Sequence, residues 1–209
     1  MKKLLIIVGI VFLGMLSFVY LLKHPSAKKV APANNSSSVP TLIVYYSRSG
    51  NTKALAELIQ AKVGGDLFRI ETKEPRPQSY RKEVSQNVLE QREQLLPELK
   101  SKVPNFDSYQ RIFIGTPTWN MALPQAVVSF LKSYHFAEKI VIPFNTNGGY
   151  GSGSTFRQIK QLAVGAKVLE GFSIKGGEEI NGKLLVIKGQ KKRETAQKVA
   201  EWLNKIKQN

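Results

Sequence analysis

Thr41-Leu-Ile-Val-Tyr-Tyr-Ser-Arg-Ser-Gly-Asn-Thr52, running on into Lys53-Ala-Leu-Ala-Glu-Leu-Ile-Gln60, is the stretch that decides the fold. A β-branched and aromatic run ends in small hydroxylated residues, a Gly and an Asn, and an amphipathic helix then begins. Such a turn aims backbone N–H groups and the positive end of the new helix at one point. Ser47, Ser49 and Thr52 add hydroxyl donors, and a monoester phosphate suits the result. The plainer reading is an N-cap cluster on an ordinary strand-to-helix turn.

Outward from this stretch, strands and helices alternate. Strands are expected at Leu42–Tyr46, Asp66–Ile70, Arg111–Gly115 and Lys139–Phe144, with weaker signals at Lys167–Ser173 and Leu184–Ile187. Apolar spacing predicts helices over Thr52–Val63, Pro124–Tyr134, Ser154–Val164 and Lys191–Ile206. An extra element, Tyr80–Lys100, carries Val84, Val88, Leu95 and Leu99 at helical spacing and reads as one long helix fenced by Pro75, Pro77 and Pro104. Repeated strand–helix units with apolar strands imply an α/β fold, a doubly wound parallel sheet covered on both faces. Ligands in such folds sit beyond the carboxyl ends of the strands. Those ends carry Ser47–Thr52, Thr116–Leu123 and Asn145–Ser154, so three loops are expected to converge on one edge.

The second loop, Thr116-Pro-Thr-Trp-Asn120, presents Trp119 either as a core plug or as a stacking face for a flat heteroaromatic. The third, Asn145-Thr-Asn-Gly-Gly-Tyr-Gly-Ser-Gly-Ser154, has four Gly in ten residues, so its backbone can approach a ligand closely. Tyr150 offers a second aromatic face. Together the loops suit a flat ring with a phosphorylated tail.

At the N-terminus, Leu4 to Leu22 is a run of nineteen residues without charge. As a helix it would span roughly 28 Å, close to the apolar thickness of a bilayer. Residues 1–23 are expected to be an uncleaved anchor and residues 24–40 a polar tether. Residues 41–209 then form the domain, single-pass at the cell membrane and on its extracytoplasmic side. The alternative is a signal peptide cleaved on secretion, for which Ala31-Pro-Ala33 is the small-residue site. Lysines flank both ends of the run, so the positive-inside count is near a tie. There is no Cys, hence no disulfide framework and no thiolate metal site.

The formal net charge is +16, and because the region to Lys23 holds three Lys and no acid, +13 remains on the rest. Such a surface favours anionic lipid or acidic proteins. The Lys and Arg are dispersed among acids, with no basic stripe interleaved with aromatics, so nucleic acid is not expected as a partner. His24 falls in the tether and His135 at a helix end. With no Gly-x-Ser-x-Gly elbow, no Walker loop and no metal-ligand spacing, hydrolysis and metal chemistry are unsupported.

On Tyr45–Thr52, Gly115–Pro124 and Pro143–Gly153 the chain resembles the flavodoxin family, in particular its flavodoxin-like domains with an N-terminal signal or anchor. The resemblance covers about residues 40–209 and implies a five-stranded sheet of order 2-1-3-4-5 that binds FMN. It implies that Ser47, Arg48, Ser49, Gly50, Asn51 and Thr52 hold the phosphate. Pro117, Thr118, Trp119 and Asn120 would cover one ring face, and Asn145, Thr146, Asn147, Gly148, Gly149, Tyr150 and Gly151 would border the pyrimidine edge. The implied activity is electron transfer between redox partners, a partner protein or a quinone. Two alternatives stay open: an FMN-dependent NAD(P)H or quinone reductase, and a flavodoxin-shaped module that does not bind FMN. One departure matters. Flavodoxins are typically acidic around the flavin, whereas Thr116–Leu123 and Asn145–Arg157 contain no Asp or Glu and the first loop carries Arg48 and Lys53. This charge predicts a hydroquinone couple less negative than a typical flavodoxin's and a partner with an acidic docking face.

Overall fold

In strand β1 (Thr41–Tyr45) and the residue after it, period-2 alternation sends Leu42, Val44 and Tyr46 to one core and Ile43 and Tyr45 to another. The run is apolar throughout because both faces are covered. The computed structural model describes residues 39–177 and 184–207. The expected membrane span, the tether up to residue 38 and any statement on cleavage lie outside them. Among the described residues no helix is long and apolar enough to cross a membrane.

After β1 come α1 (Asn51–Val63), β2 (Asp66–Arg69), α2 (Tyr80–Glu93), a 3₁₀ turn (Phe106–Ser108), β3 (Arg111–Pro117), α3 (Gln125–Lys132) and β4 (Ile140–Asn147). Then follow α4 (Thr155–Leu162), β5 (Lys167–Val168), β6 (Phe172–Lys175) and α5 (Gly189–Lys207). All strand pairs are parallel, in the order β2-β1-β3-β4-β5, as expected. Helices α1 and α5 bury Leu55, Ile59, Val199, Trp202 and Leu203 against one face, and α3 and α4 bury Phe130, Leu131 and Ile159 against the other. Each such side chain contributes about 1.5–3 kcal/mol when taken fully from water. Phe144 lies so close over Gly115 that a Cβ there would sit 2.2 Å from its ring.

Four expectations need correction. The strand at Lys167–Ser173 is two short strands that both pair with β4, giving six strands in five rows among the described residues. Its ladder breaks where the Glu170 carbonyl turns to accept a hydrogen bond from Trp202 Nε1 at 3.0 Å. Leu184–Ile187 forms no strand. Its backbone groups are instead bonded by the Asn51 side chain. Strands β3 and β4 run further than expected, so Pro117 and Asn145, Thr146 and Asn147 belong to strands rather than to loops.

The long helix is the fourth. It stops at Glu93, with Gln94 left-handed at φ 53° and Pro97 beyond. Leu99 then pairs antiparallel with Thr72. Val88 and Leu95 are exposed, and the buried face of α2 is Glu83, Asn87 and Glu90. A helix that buries its polar side has partners for it, and these lie beside the ligand loops.

Candidate ligand cleft at the carboxyl edge

The first loop is shaped by its backbone. Gly50 is left-handed at φ 92°, which only Gly adopts at little cost, and α1 starts there with no side chain capping it. The N–H groups of the first turn therefore point out of the fold with the helix dipole behind them. The Ser47 Oγ is buried and has no hydrogen-bond partner. A hydroxyl in that position costs free energy unless something else bonds it.

The other first-loop side chains are engaged. Ser49 Oγ accepts from Asn51 Nδ2 at 3.0 Å, and Thr52 Oγ1 lies 2.8 Å from Thr146 Oγ1. Asn51 Oδ1 accepts from the N–H groups of Val186 and Ile187 at 2.9 and 3.0 Å, so this buried side chain clamps a distant segment to the start of α1. The Arg48 guanidinium pairs with Glu83, donates to the Gln78 carbonyl and stands 5.5 Å from the centre of the Tyr80 ring. Its charge is thus compensated by α2, an acid that the loop sequences do not contain. Glu83 also accepts from the Tyr46 hydroxyl at 3.1 Å. Burial first, and then the Glu83 charge, push the Tyr46 phenol well above its ordinary pKa, so it stays protonated as a donor.

The second loop is shaped by other parts of the chain. Trp119 and Ala122 exchange two backbone hydrogen bonds of 3.2 and 3.1 Å around Asn120 and Met121, both left-handed at φ 49° and 57°. This is a mirror-image turn built without Gly. Gln91 on α2 holds it: its Nε2 donates to the Trp119 and Leu123 carbonyls, and its Oε1 accepts from Asn120 Nδ2. Ser154 donates to the Met121 carbonyl through both N–H and Oγ at 2.8 Å. The Trp119 indole is 5% exposed and packs edge-on against Tyr46, with ring centres 5.5 Å apart. It forms the wall of the cleft more than an open stacking face.

In the third loop the Asn147 Oδ1 accepts from the N–H groups of Gly149 and Gly151 at 2.9 and 3.1 Å. Asn145 Nδ2 donates to the Thr116 carbonyl and to Thr118 Oγ1, which in turn donates to the Gly151 carbonyl. Second and third loops are thereby one hydrogen-bonded unit. Tyr150 is 71% exposed at its tip.

Arg48, Ser49, Asn51, Thr52, the segment Pro117–Trp119, Thr146, Asn147 and Gly148 line one cleft, joined by Gly177. A second slot beside it lies between Tyr80, the Thr118–Met121 turn, Gly148 and Tyr150. The three loops expected to converge do so. Gly177, Tyr80, Glu83 and Gln91 also shape the site and lie in no recognisable sequence motif. The polar spacing of Glu83, Asn87, Glu90 and Gln91 along α2 is the sequence signal that marks its inward face.

A model of the flavodoxin family matches residues 40–206. Among solved structures, a provisionally named flavoprotein from Bacteroides eggerthii is 26% identical with a TM-score of 0.63, over 80% of this chain and 97% of that one. A similarly named protein from Bacteroides uniformis is 27% identical with a TM-score of 0.60, over 68% of this chain and 94% of that one. A flavoprotein from Lactobacillus acidophilus, solved in complex with FMN, is 25% identical with a TM-score of 0.56, over 64% and 91%. No curated protein matches the chain.

Proposed function

Because the chain belongs to the flavodoxin family, we propose that its cleft holds FMN and that the protein carries electrons between redox partners at a membrane. The observation that carries this reading is the first loop: an uncapped helix start beside the buried, unpartnered Ser47 hydroxyl, at the edge where two further loops converge. A phosphate there meets backbone N–H groups and the Ser47 hydroxyl, which folding leaves available. The Thr118–Met121 turn, Tyr80 and Tyr150 flank the slot that suits the ring. Bound FMN supplies the one- and two-electron chemistry, and the protein supplies position and electrostatics.

The apolar run Leu4–Leu22 serves in this reading as a single-pass anchor, with the domain outside the cytoplasm. The partner is a quinone or a protein with an acidic docking face, in keeping with the +16 charge. The test is titration of FMN into the protein. Flavin fluorescence should quench to a one-to-one end point and a bound-flavin absorption spectrum should appear. A protein that leaves FMN fluorescence untouched is a flavodoxin-shaped module without flavin. Rapid turnover of NAD(P)H with added quinone would make it a reductase instead of a carrier.

A further inference from the structure

A second cleft shares Arg48 with the first as a common wall. It encloses about 1060 Å³ of empty space, part of it open to solvent, against about 390 Å³ in the first. Its walls come from the ends of β1 and β2, the stretch to Gln78, Glu83 on α2, and Lys100. Five cations line it, Arg48, Arg69, Lys73, Arg76 and Lys100, against the two carboxylates of Glu71 and Glu83. Glu98 and Glu90, the partners of Lys73 and Arg76, are not among its lining residues. With these two partners counted, five cations stand against four carboxylates, and the excess positive charge falls at Arg69 and Lys100, which share Glu71.

The cations stand on backbone that is already ordered. Arg69 ends a strand paired to β1. Lys73 donates its N–H to the Glu98 carbonyl and Lys100 to the Glu71 carbonyl, at 2.8 and 2.9 Å, on either side of the Thr72–Leu99 bridge. Pro75 and Pro77 stiffen the remaining wall, so little ordering entropy is lost when something binds. One carboxylate, Glu71, serves both Arg69 at 3.5 Å and Lys100 at 3.7 Å. Those cations are 53% and 64% exposed, and exposed pairs are worth only about 0–1 kcal/mol, so they yield readily to a stronger anion. The Arg76 Nε is buried without a hydrogen-bond partner. The single aromatic residue in the lining, Tyr46, is 6% exposed, so the cleft has no platform for a nucleobase.

We propose that this cleft is a second anion site, which binds a small polyanion carrying at least two phosphate or carboxylate groups and no base, separately from FMN. The probes are pyrophosphate and citrate, titrated calorimetrically into the protein with excess FMN at fixed, near-physiological salt. One binding event is expected for the unmodified protein, weakened about tenfold in an Arg69→Ala/Lys100→Ala variant. FMN affinity should not change in that variant. The control is Lys62→Ala/Lys160→Ala, which removes two exposed charges from the ends of α1 and α4 and should leave probe binding as it was. Exposure of all four side chains keeps these variants folded, which thermal melting checks.

Binding of pyrophosphate alone identifies a phosphate site, and binding of both probes identifies a site selective for charge. Either outcome supports the proposal. It is overturned if neither probe binds, if the control pair weakens binding equally, or if FMN abolishes the pyrophosphate signal, which would place the probe in the first loop. Should the protein take up no FMN, the same titrations without it still compare the two variants, so the two readings fail separately.

Discussion

The first and second ligand loops meet in one cleft and are held in different ways. Between Ser47 and Thr52 the shape follows from local backbone: one left-handed Gly, then a helix start. Between Trp119 and Ala122 it is imposed from outside, by Gln91 on α2 and Ser154 before α4. Asn120 and Met121 take left-handed conformations there, which cost about 1 kcal/mol or more in a non-Gly residue. The first loop is thus a preformed anion site, and the second is a shaped wall whose form depends on its neighbours. Damage to the first should act on the phosphate, and damage to the second on the ring. Riboflavin, which lacks the phosphate, separates them.

The largest effect is expected for Gly153→Ala. Gly153 is left-handed at φ 54°, and a Cβ there would lie 2.4 Å from the Met121 carbonyl oxygen. Backbone must move on one side or the other, at a cost of roughly 3 kcal/mol. Chemical denaturation should show this loss, and FMN and riboflavin affinities should fall together. Retention of both affinities would mean that the second turn keeps its form without the third loop.

Gln91→Ala should act more mildly and more selectively. It removes three hydrogen bonds to the turn at a partly exposed site, which costs about 1–2 kcal/mol. Fluorescence titration should show FMN and riboflavin weakened by a similar factor, about tenfold. A loss confined to FMN would break the division between the loops.

The smallest change in stability, and the sharpest contrast, belongs to Ser47→Ala. Its hydroxyl is buried and bonds nothing in the protein, so removal should leave stability unchanged or slightly raised. FMN affinity should nevertheless fall about tenfold, with riboflavin untouched. Equal weakening of both flavins would show that Ser47 serves the fold and not the phosphate.

The paired charge of Arg48 revises one expectation. With Glu83 against it, Arg48 adds little bare positive charge to the first loop. What remains is the lack of acid in the other two loops, and a raised flavin potential would have to come from that.

Much of this molecule follows from short-range pattern. Alternation in β1 places its residues on two cores, right-handed crossovers order the strands, and a Gly before an amphipathic run opens an anion site. Each is a local rule of geometry, readable from a few consecutive residues, and together they bring the three loops to one edge. Tertiary structure decided what long-range pairing alone can decide. It ended α2 at Glu93 and turned Glu83 and Asn87 inward, because their partners Arg48, Tyr46 and Gln125 lie 35 to 38 residues away in the sequence, outside α2. It set the Asn51 side chain as a clamp on Val186 and Ile187, and it made Trp119 a wall by bringing Tyr46 edge-on to it. A buried polar group is stabilised by its partner, and the spacing of residues along a chain does not say which partner that is.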